Sequence, residues 1–258
     1  MNSETQENTS KDTSLIERLF NAGAHFGFTK SRRHPTARPY LFGSKQGVDI
    51  IDLEKTSDML ERAKQILHDA GKDGKTVLYV GTKEEVAKLV TEAAERAEMP
   101  YVTNRWIGGM LTNFSEIKKR IARLTELTTQ GESGELERKY TKKERVVIGR
   151  ERDKLTFNFN GIKSLERVPQ MMLVIDPRHD SIAVREANDL NIPVVGITSS
   201  DYNLKQLTYP VLTNDALQSS VSLVLGELTD AFMEGKKAHV VPKAKSATAE
   251  KSPEEAKK

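Results

Sequence analysis

The chain has 258 residues, 37% of them hydrophobic, and no cysteine. That is enough for one sizeable core but rules out a disulfide or a thiolate metal cage. Its formal charge of +3 separates no class of partner, and no apolar run approaches the length of a bilayer span.

The first 14 residues, MNSETQENTSKDTS, are polar and acidic. They lack the basic-then-apolar order of a signal peptide and read as a disordered tail. The folded domain is expected over 15–235. It opens with NAGAHFGFTKSRRHPTARPYLFG, where histidines, glycines and cations crowd together. Within residues 30–45 lie Lys30, Arg32, Arg33, Arg38 and Lys45, with no acid among them. The runs VDIIDL (48–53), KTVLYVG (75–81), PQMMLVID (169–176) and IPVVGITSS (192–200) read as strands, three of them almost continuously apolar. PYVTN (100–104) is a weaker strand, and LTYPVL (207–212) is expected to end the sheet. Between strands, TKEEVAKLVTEAAERA sets Val86, Leu89, Val90, Ala93 and Ala97 on one helical face. Leu217, Val221, Val224, Leu228 and Phe232 repeat that spacing after Thr213 or Asn214, either of which can cap the helix. This alternation predicts an α/β fold with a parallel sheet covered by helices, Rossmann- or flavodoxin-like.

Residues 112–160 break the rhythm. TNFSEIKKRIARLTELTTQ places Ile117, Ile121, Leu124 and Leu127 on a narrow stripe, and after the turn GESGELE comes a highly charged helical segment. Lys118 to Lys154 holds 12 Lys/Arg against 7 Asp/Glu. The pattern predicts an antiparallel helical hairpin inserted in the domain and projecting from it, with a thin apolar seam and a basic exterior. Residues 236–258, with seven lysines and three glutamates, read as a disordered basic tail.

Catalytic and cofactor chemistry finds little support. VLYVGTKEEV offers a strand, one glycine and a helix start that could hold an anion, and a small-molecule enzyme using Gly81–Thr82 as a phosphate site is the alternative function. Neither the three-glycine dinucleotide fingerprint nor a Walker loop is present, so no cofactor is expected. Asp176, Arg178, His179 and Asp180 follow a strand, with Asp180 or Ser181 available as a cap, but no nucleophile or second carboxylate stands at a convincing spacing. None of His25, His34, His68, His179 and His239 lies in a metal-ligand motif, although His25 could approach the strand ends at Asp176 or Asp201. In RWIGGMLTNF, Trp106 either packs at the base of the hairpin or forms, with Arg105, a rigid basic and aromatic corner against RNA.

AGAHFGFTKSRRHPTARPYLFG, GVDIIDLEKT, LYVGTKEE, PYVTNRWIGGMLTNF, Thr141 to Glu144, GIKSLERVPQ, VIDPRHDSIAVREANDLNIPVVGI and the Asn214–Asp215 pair stand in one family's order and spacing. The sequence resembles the bacterial form of the second protein of the small ribosomal subunit from about residue 15 to 235. The resemblance implies a non-catalytic constituent of the cytoplasmic small ribosomal subunit. Such a protein binds small-subunit rRNA and neighbouring ribosomal proteins, and it helps dock the large mRNA-binding ribosomal protein numbered one. It implies no membrane and no small-molecule substrate. The family motif usually reads His-Phe-Gly-His, where this chain has Phe28 in fourth place, and Arg33 and His34 replace an aromatic residue and asparagine. The loop after the strand at 192–200 also departs from the family pattern, and no metal is expected here. The residues expected to contact RNA are Lys30, Arg32, Arg33, Arg38, Lys45, Arg105, Trp106, Lys118, Lys119, Arg120, Lys142, Lys143, Arg145 and Arg178.

Overall fold

The computed structural model describes residues 15–247; the tail expected over 1–14 and the last part of the C-terminal tail lie outside the described residues. After a helix α1 (15–21) the chain forms strand β1 (Phe26–Thr29), a 3-10 turn (Pro35–Tyr40), β2 (Leu41–Lys45) and β3 (Val48–Ile51). Then follow α2 (Leu53–Lys72), β4 (Val77–Val80), α3 (Glu84–Ala97), β5 (Tyr101–Val102), α4 (Phe114–Glu132), α5 (Glu135–Lys139) and α6 (Lys142–Phe159). The order closes with β6 (Met171–Ile175), α7 (Ser181–Asp189), β7 (Val194–Thr198), β8 (Tyr209–Leu212) and α8 (Gln218–Ala247).

Five parallel strands in the order β5-β4-β6-β7-β8 make the main sheet. This is an α/β Rossmann-like architecture with the strand order of flavodoxin-like folds. Strand residues alternate between two cores, as a period of two requires. Val77, Tyr79, Leu173 and Ile175 share one core with α1, α2, α3 and α8. Leu78, Val80, Met172 and Val174 share the other with α4, α6 and α7. Both faces are therefore covered, which accounts for the unbroken apolar runs of β4, β6 and β7.

VDIIDL behaves differently. β3 joins neither edge of the parallel sheet but lies between β1 and β2 in a small antiparallel sheet. Gln46 and Gly47, both at positive φ (52° and 81°), form the two-residue turn joining β2 to β3. The basic segment therefore runs from one strand of this small sheet, through the 3-10 turn, into another.

The apolar stripe of α4 is buried as expected at Ile117, Ile121, Leu124 and Leu127, beside Leu155 and Phe159 of α6. An Arg123–Glu151 ion pair of 3.5 Å ties the two helices part-way along. α6 begins on a capping box: the Glu144 N–H donates to Thr141 Oγ1, and the Thr141 N–H donates to Glu144 Oε2 at 2.8 Å.

α8 does not stop at residue 235, where the tail was expected to begin; the helix continues to Ala247. Two polar residues just past 235 bind neighbouring helices. Lys236 Nζ donates to the carbonyl of Ala97 at the end of α3, and His239 Nδ1 lies 2.7 Å from the carbonyl of Lys72 at the end of α2. Both meet the electron-rich C-terminus of a neighbouring helix, a favourable place for a donor or cation that hydrophobic periodicity does not register.

Candidate nucleic-acid interface

The basic N-terminal segment is built on the small sheet and its 3-10 turn. His34 caps that turn, accepting from the Thr36 N–H at 3.3 Å. Lys30, Arg38 and Lys45 are exposed and form no ion pair among the described residues. The two arginines between them are spent differently. Arg33 is half-buried and pairs at 3.3 Å with Asp49, which is fully buried. Arg32 lies over the ring of Phe28, 4.7 Å from its centroid, and 4.0 Å from Asp201. Arg178 pairs with that same Asp201. The segment lacks acids in sequence, yet Asp49 and Asp201 reach it through the fold.

His25 is enclosed by aromatic rings. Its ring lies between Phe20 (4.5 Å, stacked) and Phe26 (4.0 Å), and burial lowers its pKa. Among the described residues no group of three or more His, Asp or Glu side chains could hold a metal ion.

In a flavodoxin-like sheet the crevice between the first and third strands is where ligands bind. Here that crevice lies between β4 and β6, and the protein's own carboxylates fill it. The Thr82 N–H and Oγ1 donate to the two oxygens of Asp180, at 3.0 and 2.7 Å. Lys83 Nζ donates to Asp176 at 3.3 Å. Thr82 and Lys83, which lead into α3, thus spend their side-chain donors on these carboxylates, while the helix itself carries no side-chain cap bond at Lys83. Asp180, one of the two residues expected as a cap for α7, makes no side-chain cap bond because it reaches across to Thr82. Asp215 stands behind this cluster, accepting from the Ser199 N–H at 3.1 Å. Burial, reinforced by the charges of Asp176 and Asp201, pushes its carboxyl up to about 7.

The Gly108–Gly109 turn is organised by a residue that sequence reasoning did not single out. Glu186 of α7 is buried and accepts five hydrogen bonds. They come from Trp106 Nε1 (3.1 Å), the N–H groups of Gly109 (2.8 Å), Leu111 (3.0 Å) and Thr112 (3.3 Å), and Thr112 Oγ1 (3.3 Å). Burial alone would raise the pKa of this carboxyl, but the donors outweigh it and hold it below its ordinary value. Its signal in the sequence is positional: it lies with Ala183, Val184 and Ala187 on the buried face of α7, where a carboxylate needs partners.

Trp106 is consequently interior, 8% exposed and hydrogen-bonded through its indole. This corrects the expectation that it meets RNA: it packs beneath the turn. Arg105 beside it is exposed. On α4, Lys118 and Arg120 are exposed without ion pairs among the described residues, and Lys119 pairs with Glu116. Lys142 and Lys143 stand exposed at the start of α6, and Arg145 is half-buried and engaged within the fold.

Comparison with known proteins adds a family to this geometry. Residues 19–235 match the family model described as ribosomal protein S2. The chain is 39% identical over 222 residues to the small ribosomal subunit protein uS2 of Dictyoglomus thermophilum, covering 86% of this chain and 90% of that one. It is 38% identical over 221 residues to uS2 of Coprothermobacter proteolyticus (86% and 82% covered). It is 40% identical over 220 residues to uS2 of Geotalea uraniireducens (85% and 86% covered). A self-occupied ligand crevice, cations gathered on two segments and a match spanning nearly the whole described fold agree: the chain belongs to the ribosomal protein S2 family, whose members are ribosomal proteins and not enzymes.

Proposed function

We propose that this protein is a constituent of the small ribosomal subunit that binds small-subunit rRNA through two basic surfaces. One comprises Lys30, Arg38 and Lys45, with Arg32 held on Phe28; the other comprises Arg105 and the exposed cations of α4 and α6, which project toward the RNA. The observation that carries this reading is that these cations are exposed and largely unpaired within the fold, while Arg33 and Arg178 are consumed by internal acids. Unpaired surface cations repel one another unless a polyanion covers them, and phosphate contacts release counterions when it does. Folded rRNA is met by shape and backbone rather than by a base code. In that place the protein also helps dock the large mRNA-binding ribosomal protein numbered one.

The test is co-sedimentation with small subunits on a sucrose gradient over a salt series. Replacing Lys30, Arg38 and Lys45 together with Glu is expected to weaken association at least tenfold. The slope of log affinity against log salt should fall by about 2, since each phosphate no longer neutralised lowers it by roughly 0.7–0.9. Unchanged affinity and slope would remove this surface from the interface. Subunits reconstituted without the chain should also retain less of the mRNA-binding protein.

A further inference from the structure

Between the Gly108–Gly109 turn, α4 and α6 lies an open groove of about 570 Å³. That is within the size range of small-ligand sites. Its apolar lining comes from Ile107, Ile117, Leu155 and Phe159. Two amides, Asn113 and Asn158, face the same space, and Asn158 makes no side-chain hydrogen bond among the described residues. Two acids and two cations complete it, and their pairing is uneven. Glu116 pairs with Lys119, and Glu151 pairs at 3.5 Å with Arg123, which also pairs with Glu126 at 3.0 Å, whereas Arg120 and Lys154 form no ion pair among the described residues.

We propose that this groove receives a single unpaired nucleotide of RNA, with its base against the apolar lining and its flanking phosphates on Arg120 and Lys154. The occupant follows from the chemistry. An apolar slot suits the face of a base, side-chain amides suit its donor and acceptor edge, and unpaired arginine and lysine suit phosphate. Gly108 lines the mouth, and a Cβ placed there would meet no atom within 4 Å, so the backbone is open to close approach. Glu186 contributes as a positioning residue: by clamping Gly109, Leu111 and Thr112 it fixes the turn against α4 before RNA arrives.

This inference rests on the RNA-binding reading and sharpens it to one subsite. The experiment uses the full chain with deproteinised small-subunit rRNA, measuring affinity over a salt series, melting temperature and UV crosslinks. In the wild type, crosslinks are expected in the peptides carrying Gly108 and Phe159. Gly108→Leu should keep the wild-type melting temperature, lose those crosslinks and weaken binding about tenfold, the scale of one stacked base. Its salt slope should not change, because every phosphate-binding cation is retained. Arg120→Ala with Lys154→Ala should instead lower the slope by about 1.4. If Gly108→Leu lowers the melting temperature, the same criteria apply to Asn158→Leu. A folded variant that binds and crosslinks as the wild type does overturns the groove and leaves the wider RNA reading standing. A wild type without salt-sensitive binding overturns both.

Discussion

A carboxylate that accepts five hydrogen bonds from one turn cannot be truncated without stranding its donors. Glu186→Ala leaves Trp106 Nε1 and three backbone N–H groups unpaired beside a cavity. The expected cost is at least about 3 kcal/mol, read by denaturant unfolding. Gln keeps one acceptor but turns an NH₂ toward donors, so Glu186→Gln should fall between Ala and the wild type. Because the Glu186 pKa is lowered in the fold, its contribution is present above the carboxyl's unfolded pKa and lost as pH falls through the folded value. Asp215 works in the opposite sense. Its folded pKa of about 7 exceeds the unfolded value, so the native state holds a proton that the unfolded chain has released. Its share of stability is complete at low pH and is lost as pH rises through about 7. Asp176 and Asp201 face it with negative charge, Lys83 with positive charge, and the Ser199 N–H donates to it. Asp215→Asn should therefore raise the melting temperature at about pH 8 and flatten its decline between about pH 5 and 8. An unaltered pH profile in that variant would place the titration elsewhere.

Among the elements, α2 and α8 approach so closely that two glycines are required at their crossing. A Cβ at Gly235 would overlap the carbonyl of His68, and one at Gly71 would overlap the carbonyl of Phe232. Backbone cannot rotate away as a side chain can, so Gly235→Ala should cost about 1–3 kcal/mol. Gly226 of the same helix meets nothing within 4 Å, and Gly226→Ala should stabilise by about 0.5–1 kcal/mol. Thermal melts of both variants check the contrast. The helices and parallel strands were legible because their burial repeats: Val86, Val90, Ala93 and Ala97 of α3 are all buried, as the 3.6-residue spacing requires. The small antiparallel sheet was not legible. β1 and β2 are only partly buried, so no alternation marks them, and Gln46–Gly47 was the one local sign of a hairpin turn. The start of the α8 extension escaped for a related reason, since the hydrogen bonds of Lys236 and His239 to two helix ends leave no apolar trace.

For the molecule as a whole, a crevice filled by its own carboxylates should not bind free nucleotides. Millimolar ATP or NAD is expected to leave the melting temperature unchanged, because a ligand of the native state raises it by mass action. A saturable increase would revive a small-molecule site at Thr82. By itself the sequence determined the α/β class, the parallel sheet and the family, because apolar periodicity and motif order are properties of the chain read in line. It also located the two segments where cations gather. Only the tertiary structure decided which of those cations remain free. Asp49 is 16 residues from Arg33 and Asp201 is 23 from Arg178, and Glu186 is 80 from Trp106. Pairing across such separations depends on which strand ends and helix faces the fold brings together, and local spacing carries no record of it. NAGAHFGFTKSRRHPTARPYLFG therefore states where positive charge is available, and Asp49 and Asp201 decide how much of it stays unpaired within the fold.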